Sequence, residues 1–128
     1  PDLGIAVDVT HGEMPGLADY EGFKLGQGPV IVTGPQVHPL IFEKLKTAAE
    51  AAKVKYQVEA EVTPRGTDAY AIQIAQAGVA SGLVSIPLRY MHTSVETLAL
   101  DDLKETGRLL AEFISQIDRS FLEGLACY

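Results

Sequence analysis

The chain has 128 residues, 47% of them hydrophobic, which is enough for one compact domain with a real core. Its formal charge of −7, with the 10 basic residues scattered and not massed into a patch, opposes the phosphate neutralisation on which nucleic-acid affinity rests, so nucleic acid is excluded as an expected partner. The longest apolar stretch, Val79 to Leu88, is interrupted by Ser and Gly and falls far short of the roughly 20 residues of a membrane span, so a soluble protein is expected.

No charged segment followed by an apolar one opens the chain, and a cytoplasmic location is the simplest expectation. Cys127, the single cysteine, has no partner for an internal disulfide and no second thiol for a metal cluster. The first residue is Pro1 and not Met, which reads as a trimmed, processed or excerpted chain.

Leu3 to Val9 is apolar and β-branched at nearly every position and predicts a strand buried on both faces, closed by Thr10-His11-Gly12. A polar loop runs to Gly28, and Pro29 to Thr33 predicts a second short strand ended by Gly34-Pro35. His38 enters a helix whose first turn tolerates Pro39 and whose apolar positions are Ile41, Leu45, Ala48, Ala49 and Ala52. Tyr56, Val58, Ala60 and Val62 alternate with Gln57, Glu59 and Glu61, which predicts an edge strand with one wetter face, stopping at Pro64. Thr67 or Asp68 would cap a helix through Ala69, Ile72, Ile74 and Ala75, with Gly78 in the left-handed turn beyond it. Ala80 to Pro87 predicts another buried strand. The last long helix takes Asp101 or Asp102 as cap, Glu105 as the return arm of a capping box, and a core stripe of Leu103, Leu110, Phe113, Ile114, Ile117 and Phe121. Strands alternating with helices define an α/β layered domain, whose ligands gather at the carboxyl ends of the strands.

Asp8 stands inside Ile5-Ala6-Val7-Asp8-Val9, where a charge is costly unless paired or bound to a cation. It reads either as a metal ligand or as a carboxylate accepting N–H bonds from the Thr10 to Gly12 turn. His92 follows the apolar run Ile86-Pro87-Leu88-Arg89-Tyr90-Met91 and is a metal ligand or a hydrogen-bonded structural residue. Glu96 is near enough in sequence to orient the His92 ring, or to be an exposed glutamate entering the next helix. Gly66-Thr67-Asp68-Ala69 joins a strand to a helix; it either presents N–H groups to an anion or substrate carbonyl, or simply caps the helix. His11 could approach the Asp8 site. Gly26 and Gly28 echo a dinucleotide motif, but a strand follows them and not a helix.

Taken in order, Pro1-Asp2, Ile5 to His11, Pro15-Gly16, Leu25 to Val30, Gly66 to Ala69 and Ser85 to His92 resemble the C-terminal portion of the M42 metallo-aminopeptidases, from Pro1 to about Phe113. The resemblance implies a layered α/β/α zinc-peptidase-like fold with a mixed sheet and flanking helices, of which residues 1–128 would be the C-terminal portion. It also implies two divalent metals, zinc or cobalt, peptide substrates and homo-oligomeric assembly. Carried over by position, Asp8 looks like the carboxylate ligand of one metal and His92 like the imidazole ligand of the other, while Gly66, Thr67, Asp68, Arg89 and Tyr90 look like part of the substrate-binding wall. The family's further histidine, bridging aspartate and glutamate pair, one glutamate being the general base, have no counterpart in this sequence, nor does its smaller inserted dimerisation domain. The chain alone is therefore expected to be inactive. Two other readings compete: a noncatalytic oligomerising or binding domain derived from this fold, and a glucanase. Glycoside hydrolysis needs two flanking carboxyl groups, and nothing in the sequence pairs Asp8 with Asp68 across a sugar.

Overall fold

The computed structural model describes residues 1–18, 22–63 and 66–125. In chain order these form β1 (Leu3–His11), β2 (Val30–Thr33), α1 (Pro39–Ala51), β3 (Gln57–Ala60), α2 (Asp68–Gln73), β4 (Ala80–Arg89), β5 (Thr97–Leu98), α3 (Leu100–Ser115) and α4 (Arg119–Gly124). One sheet runs β1-β4-β2-β3, with β5 added to β4. β1 and β4 are parallel, with Asp8 beside Ser85 and His11 beside Leu88. β2 is antiparallel to β4, and β3 is parallel to β2. This is the expected α/β layering on a mixed sheet. No helix among the described residues is long and apolar enough to cross a membrane.

The two faces differ in chemistry. Ile31 and Val84 point to the face covered by α1 and α3, where Ile41, Leu45, Ala48, Leu109 and Phe113 complete the main core. Each of the Ile, Leu, Val and Phe side chains, fully removed from water, stabilises by about 1.5–3 kcal/mol. Helix α1 comes close because Gly82 has no side chain: a Cβ there would lie 2.6 Å from Ile41 Cγ2 and 2.7 Å from Ile5 Cδ1. On the other face a smaller cluster joins Ala6, Val32 and Leu83 to Val37 and Ala69, with Ile72 packed against it. Beyond that cluster the face carries Asp8, Thr10, Ser85 and Glu59, because strand side chains alternate.

Three expectations are corrected. The wetter residues of β3 point inward and its apolar ones outward: Val58 is 45% and Val62 91% exposed, whereas Glu61 is buried. Polar partners from elsewhere in the chain explain the reversal. The Gln57 amide accepts from the Lys24 N–H and donates to the Lys24 and Gly28 carbonyls, Glu59 accepts from the Thr10 hydroxyl, and Glu61 accepts from the Gln36 amide.

Neither of the expected helix caps forms. Thr67 and Ala99 occupy the cap positions of α2 and α3 without a side-chain hydrogen bond. Asp102 lies inside the first turn of α3 and is buried. Its carboxylate accepts the Gly26 and Gly28 N–H groups, both at 2.8 Å, while Glu105 pairs with Arg108.

Phe113 is buried and Leu110, Ile117 and Phe121 pack against the main core as expected, but Leu103 and Ile114 are exposed, and the buried positions of α3 also include Asp102, Thr106 and Leu109. Helix α3 ends at Ser115, and Phe121 belongs to the separate α4. Two expectations fall outside the described residues, the strand stop at Pro64 and the terminal thiol of Cys127.

Candidate metal and substrate site

Asp8 is half-buried in β1, on the face that Ala6 and Thr10 share. Its Oδ1 accepts the N–H of Val9 at 2.8 Å, not that of the Thr10 to Gly12 turn, and Oδ2 meets no hydrogen-bond donor among the described residues. A half-buried carboxylate with one oxygen uncommitted is chemically suited to a hard or borderline cation.

Helix α2 crosses the same face. Its first turn places Ala69 in the cluster with Ala6, and Ile72 lies over Gly4, where a Cβ would come within 2.6 Å of Ile72 Cγ2. The helix therefore runs opposite to β1, and Gly66-Thr67-Asp68 stands on the Asp8 side of Ala6. Among the described residues the buried Thr67 hydroxyl has no hydrogen-bond partner. A buried hydroxyl left unpaired costs about 1–3 kcal/mol, so capping does not explain this residue.

Three bonds tie the exits of β1 and β4 together. Gly12 N–H donates to Leu88 O at 2.6 Å, Arg89 Nε donates to Glu13 O at 2.6 Å, and the Tyr90 N–H meets Met14 Sδ at 3.5 Å. Arg89 thus joins the loop after Asp8 to the segment carrying His92. Tyr90 and His92 are both exposed and both left-handed, with φ of 58° and 62°. The other two non-glycine residues of this kind, Lys53 and Gln76, lie in the turns after α1 and α2. No helix end accounts for Tyr90 and His92, and such a backbone costs on the order of 1–2 kcal/mol per residue. The Glu96 carboxylate accepts the main-chain N–H of His92 at 2.6 Å, so it meets this residue through the backbone.

The structure thus places Asp8 and Gly66-Thr67-Asp68 on one sheet face, and Arg89, Tyr90 and His92 at the exit of the adjoining strand. His11 ends β1 on the opposite face from Asp8 and is exposed. His38 is removed from the site: it caps α1, its Nδ1 accepting the Leu40 N–H at 3.2 Å and its own N–H donating to Ser81 O. A cleft of about 580 Å³, lined by Asp2, Gln36, His38, Gln73, Ser81 and Leu122 among others, opens at the amino ends of β1 and β4, away from Asp8. Sequence reasoning missed the Arg89–Glu13 and Asp102–Gly26/Gly28 clamps, whose partners lie 76, 76 and 74 positions apart.

Asp8 and His92 fit divalent ions in kind, a carboxylate and an imidazole, but they fall short in number. Among the described residues no group of three or more His, Cys, Asp or Glu side chains is placed to hold an ion.

A carboxylate on β1 and a histidine just beyond its parallel neighbour β4 thus lie in a mixed α/β sheet. The sequence model of the M42 glutamyl aminopeptidase family matches residues 1–109, and the chain belongs to that family. It is 36% identical over 117 residues to the lysyl aminopeptidase of Pyrococcus furiosus, covering 91% of this chain and 34% of that one. Aminopeptidase APDkam598 from the archaeon Desulfurococcus kamchatkensis superposes with a TM-score of 0.89 at 33% identity, over 100% of this chain and 38% of its own. The TET1 peptidase of Pyrococcus horikoshii, which can assemble into a tetrahedron or a large octahedral shell, gives a TM-score of 0.70 at 28% identity, over 90% of this chain and 34% of its own. The chain spans about a third of the length of these relatives.

Proposed function

We propose that residues 1–128 are the C-terminal portion of the catalytic domain of a dinuclear-metal aminopeptidase, with Asp8 a ligand of one divalent ion and His92 a ligand of the other. The observation that carries this reading is the Asp8 oxygen left uncommitted among the described residues, toward the carboxyl end of β1, beside a β4 exit whose backbone is left-handed at His92. Bound there, zinc or cobalt would polarise the scissile carbonyl and lower the pKa of an attacking water.

The chain's own residues bind and position. Gly66, Thr67 and Asp68 form a wall for the peptide on the Asp8 face, where Gly66 and Asp68 are exposed. Tyr90 presents an exposed ring at the opposite rim. Arg89 spends Nε on Glu13, which makes it first a brace between the two exits, with its terminal nitrogens left for substrate.

Substrate preference is not assigned, since glutamyl and lysyl names both occur among the relatives. The protein acts in the cytoplasm as a homo-oligomer, without nucleic-acid or membrane partners. One ligand per ion is too few for a catalytic site, so the 128-residue chain alone does not hydrolyse peptides.

The test is release of amino-terminal residues by the purified chain with zinc or cobalt, alongside the intact mass of the natural polypeptide. No release, with a natural polypeptide running upstream of Pro1 into the missing ligands, supports the reading. Metal-dependent release by the chain itself overturns the inactivity. A natural polypeptide starting near Pro1 turns the assignment to a noncatalytic domain.

A further inference from the structure

We infer that Glu96 is a positioning residue for His92, acting on its main chain and not on its imidazole; the inference rests on the reading of His92 as a metal ligand. The geometry of the segment after β4 carries it. Beyond Arg89 the chain makes two left-handed residues, Tyr90 and His92, separated only by Met91. Side chains with a Cβ resist that backbone, so something outside the residue must hold it.

The neighbouring bonds close the turn around Tyr90. Thr93 donates to Tyr90 O twice, from its N–H at 3.2 Å and from its hydroxyl at 2.6 Å. The Thr93 hydroxyl in turn accepts the Val95 N–H at 3.3 Å. For His92 the holding group is Glu96, whose Oε1 accepts the His92 N–H at 2.6 Å. This is a charged acceptor, the stronger kind of hydrogen bond.

Glu96 can do this only if its own position is fixed, and β5 supplies the anchor. The two-residue strand returns beside β4 with Thr97 opposite Arg89 and Leu98 opposite Leu88. Glu96 is the residue immediately before that pairing. Arg89 is itself fastened to Glu13 in the loop that follows β1. Glu96 therefore refers the His92 backbone to the same frame that carries Asp8. The short strand β5 acquires a role by this account: it brings a carboxylate back under the strained residue.

Acting through the backbone makes a distinctive prediction about substitutions. Glutamine keeps an acceptor oxygen at the same reach, whereas alanine removes it. If Glu96 instead worked by its charge, on the ring or on an ion, glutamine would fail as alanine does.

Amide hydrogen exchange of the 128-residue chain, read residue by residue by NMR, tests this in the unmodified protein, E96Q and E96A. The His92 amide should exchange about tenfold faster in E96A than in the unmodified chain, the scale of one lost charge-assisted bond, and should stay within about threefold in E96Q. Equal exchange in all three proteins, or E96Q as fast as E96A, overturns the inference.

Cobalt(II) added to the same samples separates the positioning claim from the metal reading. Paramagnetic broadening of the His92 ring in the unmodified chain and E96Q, weakened in E96A, supports both. Undiminished broadening in E96A overturns the positioning claim and leaves the ligand assignment standing. No broadening even in the unmodified chain, where one ligand per ion is too few to hold cobalt firmly, leaves the exchange rates to decide the positioning claim alone.

Discussion

Replacing Asp102 by alanine should destabilise the chain more than any other single change to a polar side chain. Asp102 is 1% exposed, and its two carboxylate oxygens each accept one glycine N–H, from Gly26 and Gly28, at 2.8 Å. Alanine leaves the buried Gly28 N–H without a partner, while Gly26 is exposed and water can take over its bond. At about 1–3 kcal/mol for the orphaned group and about 0.5–1.5 kcal/mol for the other bond, the loss is roughly 2–4 kcal/mol. A domain of this size has only about 5–15 kcal/mol in total. With a urea slope of about 1–3 kcal/mol per molar, a loss of about 3 kcal/mol moves the midpoint by roughly 1.5 M.

Asp102→Asn retains one acceptor oxygen and should lose about half as much. Urea unfolding followed by far-ultraviolet circular dichroism measures both variants, and an unchanged slope confirms that the comparison is of native stabilities. An alanine variant within about 0.5 kcal/mol of the parent would refute the clamp, as would an asparagine variant less stable than the alanine one.

Gly28→Ala should cost about 3 kcal/mol or more in the same assay, because φ is +85° and the new Cβ would lie 1.8 Å from Lys55 O; a folded, undiminished variant would show that the loop readjusts freely. The pKa of Lys46 is raised above its ordinary 10.5, first by the hydrogen bond its ammonium donates to the Glu43 carboxylate. A raised lysine stabilises below its unfolded pKa and loses that contribution as pH rises through the folded value, so any effect appears only at alkaline pH. Glu43→Gln should lower the Lys46 value in an NMR titration, and an unchanged titration counts against the pair. β1 and β3 end the strand order and carry Val7 at 49% and Val58 at 45% exposure, so the chain should self-associate as concentration rises, by sedimentation velocity. A strict monomer at high concentration contradicts this.

Much of the fold was legible because the signals were local. The apolar runs of β1 and β4 and the Pro39 entry to α1 each predict their element from adjacent residues. What sequence reading reversed depended on partners far along the chain. β3 was turned inside out because Glu59 bonds Thr10 and Glu61 bonds Gln36, positions 49 and 25 apart. Asp102 looked like a cap and instead serves a loop more than 70 residues upstream. β5 has two residues, too few for any period to register. For the candidate site, Asp8 and His92 were visible as polar residues at the ends of apolar runs. The left-handed backbone at His92 was not, since no glycine marks it.

Crystals of the natural polypeptide that carries this chain, soaked in zinc and measured at the zinc absorption edge, test the site assignment most directly. The account predicts anomalous peaks at the Asp8 carboxylate and at the His92 imidazole. Zinc bound only at His11 or His38, with both predicted positions bare at saturating metal, would contradict it.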